Sequence, residues 1–560
     1  MRKAPFFLVL LFMIASLLFA SGEKVKLLTI PEKTNFKETS RYSDVIDFLT
    51  NLKEKSDLVT VTFFATSHEG KRIPLVILSR PKITEPIEAL SLGKRPVLIV
   101  ADIHPGEVCA KEASLMLMRD IALGDLSYLL DKLVVLVVPI LNPDGNDRIS
   151  KKNRPRQKGP EGGVGVRPNA LNFDLNRDFV KLDSNEIRGL VSQVITKWRP
   201  LITLNGHTTD GSPHRGDLGC APPLNPNTYH KIFDYEMEKL LPYVKQELKK
   251  KYGFEIYMYG NFRDRYHPEK GWYTYSPVPH FDTNYVGMHN LMAILAETYA
   301  YIPYRRRIEV TRRFDEAVIK FIYDHLNEVE NIEKEAFEKT IKWGKNPASS
   351  PEIVLKAKIA PLKEPIVIKG WKIEERIDEK TGKKTYAITK IPVDYRIPFY
   401  GKFVPSKKVK RPYAYLLFPY EKDIVAKLLL HGIKVERLLK PMELEVEGYL
   451  VKKVESWGRI YQGHHPTRVE VEPVKLKKIF PKGTYVVPMA QEGANLASYL
   501  LEPESDDGFL FWNFFDSELV SEFSGRPRGE FPVYRILSPI LLPSSLVEKH
   551  FPLRCIEKVE

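Results

Sequence analysis

At 560 residues the chain is too long for one comfortable hydrophobic core and reads as two domains or three, with 43% hydrophobic and 11% aromatic residues, a globular composition. Its net charge of +14 could favour an anionic surface, but lysines are interleaved with glutamates and no basic-aromatic nucleic-acid motif occurs. The excess therefore reads as solvated surface compatible with heat adaptation, with no nucleic-acid partner. Three cysteines, Cys109, Cys220 and Cys555, exclude a disulfide framework. Cys109 reads as a small apolar side chain, and the pairing of Cys220 and Cys555 stays open.

Met1-Arg2-Lys3, the apolar run Ala4 to Phe19 and the small residues Ala20-Ser21-Gly22 form the three regions of a secretory signal peptide, residues 1–22. The run is short for a membrane span and no second stretch approaches spanning length, so the mature protein is expected to be soluble, secreted or periplasmic. Residues 23–345 read as one domain. Helical spacing over Arg41 to Glu54 is followed by strands Val59 to Phe64 and Ile73 to Leu78 around a turn at Gly70. Lys94 to Ile103, the helix from about Glu107 to Ala122 and Leu133 to Ile140 give the strand–helix–strand rhythm of a largely parallel sheet. The first of these strands runs into His104-Pro105-Gly106-Glu107, and the last into the tight-turn sequence Asn142-Pro143-Asp144-Gly145. Asn172-Phe173-Asp174-Leu175-Asn176-Arg177-Asp178 comes next. Asp183 to Trp198 is helical and feeds the run Leu201 to Gly206, closed by His207. Thr228 to Lys251 is helical, Leu291 to Ala296 is a strand ending at Glu297-Thr298-Tyr299, and Glu309 to Val329 is a closing helix.

In such a sheet the carboxyl ends of buried strands converge on one crevice, so His104, Glu107 and His207 can meet around one ion. Two imidazoles and a carboxylate suit zinc and leave a fourth position for water, the pattern of a catalytic site.

From Glu330 to Pro351 the chain turns polar and Lys/Glu-rich, a boundary that ends in Asn346-Pro347-Ala348-Ser349-Ser350-Pro351. Residues 346–560 read as a second, strand-rich α+β domain: a hairpin of Ile366 to Ile377 and Thr385 to Ile391 around Gly382, then strand, helix, strand over Ala414 to Phe418, Glu421 to Leu430 and Ile433 to Leu438. Alternation resumes from Met442 to Val454 and from Val469 to Val487. Glu502, Glu504, Asp506 and Asp507 read as a solvated acidic loop, with a hard-cation site as the alternative. His464 and His465 read as loop residues.

The five motifs, His104-x-x-Glu107, Asn142-Pro143-Asp144-Gly145, Asn176-Arg177, the lone His207 and the late Glu297, in this order, resemble the zinc metallocarboxypeptidase family typified by carboxypeptidase A, over roughly Asp44 to Glu330. The resemblance implies an α/β fold with a mostly parallel mixed sheet flanked by helices. It also implies one zinc per chain on His104, Glu107 and His207, with Glu297 as general base. Arg177 with Asn176 would grip the free C-terminal carboxylate of a peptide or protein substrate, which points to exopeptidase action. An oxyanion-stabilising arginine is expected after the Asn-Pro-Asp-Gly turn, where Arg154 and Arg156 are both candidates and Arg167 is a third. A tyrosine closing on substrate is expected at Tyr285, with Tyr275 behind it. The chain departs from the digestive enzymes in having no room for a folded activation domain, a long segment from Thr208 to His280, and an appended domain like that of extended bacterial members. The expected function is an exported zinc carboxypeptidase. Its rivals are a zinc amidohydrolase on cell-wall peptides or N-acyl amino acids and an inactive peptide- or envelope-binding protein, the latter disfavoured by the complete residue set.

Overall fold

The structure is a computed structural model that describes residues 27–377, 382–519 and 529–547. The expected signal peptide, the hairpin tip at 378–381 and Cys555 lie outside the described residues. An eight-stranded sheet runs in the order β1-β2-β4-β3-β5-β10-β6-β7. Its strands are β1 (Val59–Thr66), β2 (Arg72–Leu78), β3 (Arg95–Val100), β4 (Leu133–Val138), β5 (Ile202–Thr209), β6 (Leu218–Ala221), β7 (Ile256–Met258) and β10 (Met292–Tyr299). Two short strands, β8 (Asn261–Phe262) and β9 (Trp272–Tyr273), stand apart from it.

The inner order β4-β3-β5-β10 is parallel throughout, while β1, β2 and β6 join it antiparallel. Parallel strands covered on both faces have no solvent side and read as unbroken apolar runs, and all six residues of β4, Leu-Val-Val-Leu-Val-Val, are buried. Side chains alternate between faces. Val97, Ile99, Val135 and Val137 pack with Phe48, Leu115 and Ile319 from the helices Tyr42–Lys55, Cys109–Leu123 and Tyr304–Asp324. Leu98, Val100, Leu136 and Val138 belong instead to a cluster that continues through Ile187 and Val191 to Tyr415, Leu417, Leu428 and Trp512. The sequence after residue 345 thus shares a core with the central sheet.

That C-terminal part holds β11 (Ile353–Ala360) paired with β15 (Lys402–Val409), the hairpin of β12 (Ile366–Ile377) and β13 (Lys384–Ile397), and β14 (Phe399–Tyr400), which pairs with β9 of the first part. A seven-stranded antiparallel sheet follows, made of β16 (Ala414–Leu417), β17 (Glu436–Leu438), β18 (Met442–Ser456), β19 (Thr467–Phe480), β20 (Tyr485–Pro488), β21 (Val533–Ile536) and β22 (Ser544–Leu546). One expectation needs correcting here. The Lys/Glu-rich stretch from Glu330 is the body of a helix, Leu326–Lys345, with Val329, Ala336 and Thr340 buried, so only residues 346–351 remain as a connection. Its charges sit on the outer face of an amphipathic helix, a pattern composition alone does not separate from a linker. Among the described residues no helix is long and apolar enough to cross a membrane.

Candidate active site

β3 ends at Val100, and Asp102 then turns the chain at φ +60°, a left-handed conformation that Asp tolerates better than most residues. The following turn is closed by Glu107 N–H donating to His104 C=O at 2.7 Å. β5 carries His207 at its carboxyl end, in parallel register with Glu297 on β10. Gly206 is required beside it: a Cβ there would lie 2.3 Å from the Cβ of Ala110, so only glycine lets the helix behind Glu107 come this close to β5.

The result is a buried trio. His104 Nδ1 lies 3.2 Å from His207 Nδ1, and Glu107 Oε2 lies 3.3 Å and 3.0 Å from them respectively. The three residues are 2%, 5% and 3% exposed in chain order. Among the described residues this is the one group of His, Cys, Asp and Glu whose ligand atoms converge for a metal, all within 4.8 Å of one another. The far nitrogens are oriented from behind. His104 Nε2 faces Asp174 Oδ1 at 2.8 Å, and His207 Nε2 faces Asp282 Oδ2 and the Asn176 amide nitrogen, each at 3.4 Å. Partners of this kind fix the ring orientation of a metal-binding histidine. Thr208 N–H donates to Glu107 Oε2 at 3.0 Å, while Glu107 Oε1 accepts from Arg154 and Arg167, both at 3.1 Å.

Burial works against charge here and is outweighed. It pushes the Glu107 carboxyl up, but His104, His207 and Arg154 hold it well below the usual range. Asp174 is likewise held low against burial, by His104, Arg177 and Arg167. Burial lowers His207, yet its bonds to Asp282 and Glu107 raise it well above an ordinary imidazole. The surroundings thus favour positive charge where the two Nδ1 atoms meet, and two imidazoles with a carboxylate fit zinc with an open position.

A family model described as zinc carboxypeptidase matches residues 45–194. Carboxypeptidase 2 of Trichophyton tonsurans is 26% identical over 488 residues, covering 84% of this chain and 81% of that protein. Human carboxypeptidase D is 28% identical over 155 residues, covering 25% of this chain and 11% of that protein. A metallo-carboxypeptidase structure from Pseudomonas aeruginosa, in complex with (2-guanidinoethylmercapto)succinic acid, aligns with a TM-score of 0.38 and 19% identity over 52% of this chain and 71% of that one. The chain is thus similar to zinc carboxypeptidases, through residues 45–194 for the family model and through most of its length for the fungal relative. It is a metallopeptidase, and the chain continues past the matched residues into a C-terminal part.

In this enzyme Glu297 is half-buried beside the trio. Burial pushes its carboxyl up to about 8, with Glu107 acting in the same direction and His207, Arg167 and Arg154 against it. A cation at the trio would add to the lowering. Of the two arginines expected near the oxyanion, Arg154 reaches the cluster, donating also to Thr208 C=O at 2.8 Å. Arg167, the third candidate, reaches it as well and pairs with Asp174. Arg156 is a correction: it is exposed and lines a neighbouring cavity. Arg177 stacks 4.3 Å over Phe281 and spends one Nη on the Asn176 carbonyl, leaving Nε and its second Nη without a partner among the described residues. Asn176 is buried, its Oδ1 accepting from Asp282 N–H at 2.9 Å, so its amide links the supports of His207.

Tyr285 is also a correction. It is fully buried, packed on Phe179, with its hydroxyl 2.7 Å from His431 Nδ1, and so cannot close on substrate. Tyr285→Phe is expected to lower stability by about 1–3 kcal/mol, the cost of a buried lone hydrogen-bonding partner, while kcat/KM stays within about twofold; denaturant melts beside steady-state kinetics check this. The tyrosine whose hydroxyl feels the charge of the site is Tyr259, raised by burial and by Glu297. Nothing in the sequence singled it out from the other tyrosines of the segment between His207 and Glu297.

The C-terminal part also supplies supports that the sequence did not reveal. Gln462 Oε1 accepts from Asp174 N–H at 2.8 Å, His464 Nε2 meets Asp183 at 2.7 Å, and Asp507 accepts from His280 N–H at 2.7 Å and from Trp512 Nε1–H at 2.9 Å. Both segments that orient the histidines, around Asp174 and Asp282, are therefore braced from beyond residue 345. The four acidic residues Glu502, Glu504, Asp506 and Asp507 are neither a solvated loop nor a cation cluster: besides Asp507, Glu502 bonds Tyr415 and Tyr449, Glu504 pairs with Lys407, and Asp506 bonds Tyr499. Cys109 and Cys220 are free and buried.

Proposed function

We propose that the enzyme is an exported, zinc-dependent carboxypeptidase in which His104, Glu107 and His207 hold the metal, Arg177 takes the substrate's C-terminal carboxylate, and Glu297 is the general base. The convergence of two Nδ1 atoms and one carboxylate oxygen within 4.8 Å carries the reading. A zinc ion bound there supplies Lewis-acid polarisation of a carbonyl and a lowered pKa for water at its open position. The half-buried Glu297 carboxylate takes a proton from the attacking water and returns it to the leaving amine. Arg154 and Arg167 direct guanidinium donors toward the place where negative charge develops on the carbonyl oxygen. The unpaired donors of Arg177 match a carboxylate. Export rests on the charged, apolar and small-residue pattern of residues 1–22.

Peptides with a free C-terminus are expected to be cut and their C-terminal amides spared, because a neutral amide cannot accept the charge-assisted fork. Arg177→Lys is expected to lower kcat/KM by about ten- to a hundredfold, the loss of one charge-assisted hydrogen bond. Matched free and amidated peptides, followed by mass spectrometry, check both. Equal turnover of the two would replace this reading with an endo-acting amidase.

A further inference from the structure

A cavity of about 610 Å³ opens at the carboxyl ends of β5 and β10, lined by Asp210 and Tyr299 among others, and the roles proposed above leave it unused. Its wall carries four cations, Arg156, Lys158, Arg215 and Arg265, against one acid, Asp210. Arg215 is neutralised by Asp394 and donates to the Gly370 carbonyl at 2.9 Å. Arg156, Lys158 and Arg265 make no ion pair among the described residues, so the wall keeps an excess of positive charge. His214 adds none, since burial pushes it down to about 3. Tyr299 and Trp371 provide apolar lining, Trp371 coming from β12 of the C-terminal part.

The cavity begins where the site ends. Arg156 is two residues beyond Arg154, Asp210 two beyond Thr208, and Tyr299 two beyond Glu297. Glu297 and Tyr299 both lie on β10, where that spacing returns to the same face about 7 Å further along. Arg177 does not line the cavity. With the C-terminal carboxylate held on Arg177, the peptide on the amino side of the scissile bond must leave the trio in another direction, and this opening, lined just past Thr208 and Glu297 and not by Arg177, is available to it.

We propose that this cavity is a subsite for acidic side chains upstream of the scissile bond, so that the enzyme prefers acidic peptides. The proposal rests on the carboxypeptidase reading above. Its test uses two peptides with the same C-terminal residue and either glutamate or glutamine at the three preceding positions. Three exposed ion pairs together amount to about tenfold, so kcat/KM is expected to favour the glutamate peptide by about that factor at low salt, with the preference shrinking as salt is added. In a Lys158→Gln, Arg265→Gln double variant the ratio should fall to within about twofold of one. Fluorescence anisotropy of the same peptides, labelled at the amino terminus and bound to Glu297→Gln enzyme, reads the subsite without turnover. If neither peptide is hydrolysed by the wild type, the carboxypeptidase reading fails while the anisotropy arm still decides the subsite. Equal binding of the two peptides, or a preference that survives in the double variant, overturns the proposal. If the double variant fails to fold by circular dichroism, the single variants are read in the same way.

Discussion

Glu297→Gln is expected to reduce kcat/KM by about 10²–10⁴-fold, the usual contribution of a positioned general base. The substitution keeps the size of the side chain and its place on β10, opposite His207, but replaces the carboxylate that accepts a proton with a non-basic amide. Glu297 stands in a desolvated position where burial raises its carboxyl and His207, Arg167 and Arg154 restrain it, which suits a base that must both take up and release a proton near neutral pH. Zinc content and peptide affinity should change little, because the ligand atoms proposed for the metal belong to the other three residues. Kinetics with metal analysis and a binding isotherm separate the outcomes. A folded, zinc-replete variant with near-wild-type turnover would remove Glu297 from the mechanism, and a variant that fails to fold would make it a structural carboxylate.

The parts of this site that were legible in the sequence are those fixed by strand ends. His104, His207 and Glu297 each close an apolar run, and a parallel sheet brings the carboxyl ends of its strands together whatever their separation along the chain. Apolar runs also located β3, β4, β5 and β10, since strands buried on both faces leave no ambiguity of pattern. What was not legible lies on irregular backbone. Tyr285 and Tyr259 are both tyrosines between His207 and Glu297, and only the packing of the helix Asp282–Met288 against Phe179 and His431 shows that Tyr285 belongs to the core. Arg154 and Arg156 differ by two residues in a loop with no period to say which points inward. Gln462 is beyond any local signal, because its bond to Asp174 depends on how the loop between β18 and β19 meets the first part.

That dependence explains why the appended part is difficult to regard as a detachable module. It continues the apolar cluster on one face of the main sheet, and through Gln462 and Asp507 it holds the backbone on either side of the histidine supports. A metal site needs its ligands held to within a fraction of an ångström by what lies behind them. Here much of what lies behind them comes from beyond residue 345.

The largest loss of metal is expected from the ligands themselves. His207→Ala removes one of three protein donors and leaves Glu107 and His104 with an incomplete site, so zinc content, about one per chain in the purified protein, should fall sharply, and activity with it. Chelation of the wild type should abolish activity and added zinc restore it, because the donors are preorganised: Asp174 holds His104, and Asn176 and Asp282 hold His207, with or without the ion. Removing the donors also leaves the buried Glu107 carboxylate with fewer opposing charges, although Arg154 and Arg167 continue to pair with it, so the variant should remain folded. Metal content by inductively coupled plasma mass spectrometry, beside a thermal melt, distinguishes a lost site from a lost fold. Full stoichiometric zinc in a His104→Ala, His207→Ala double variant would place the metal elsewhere and end this assignment.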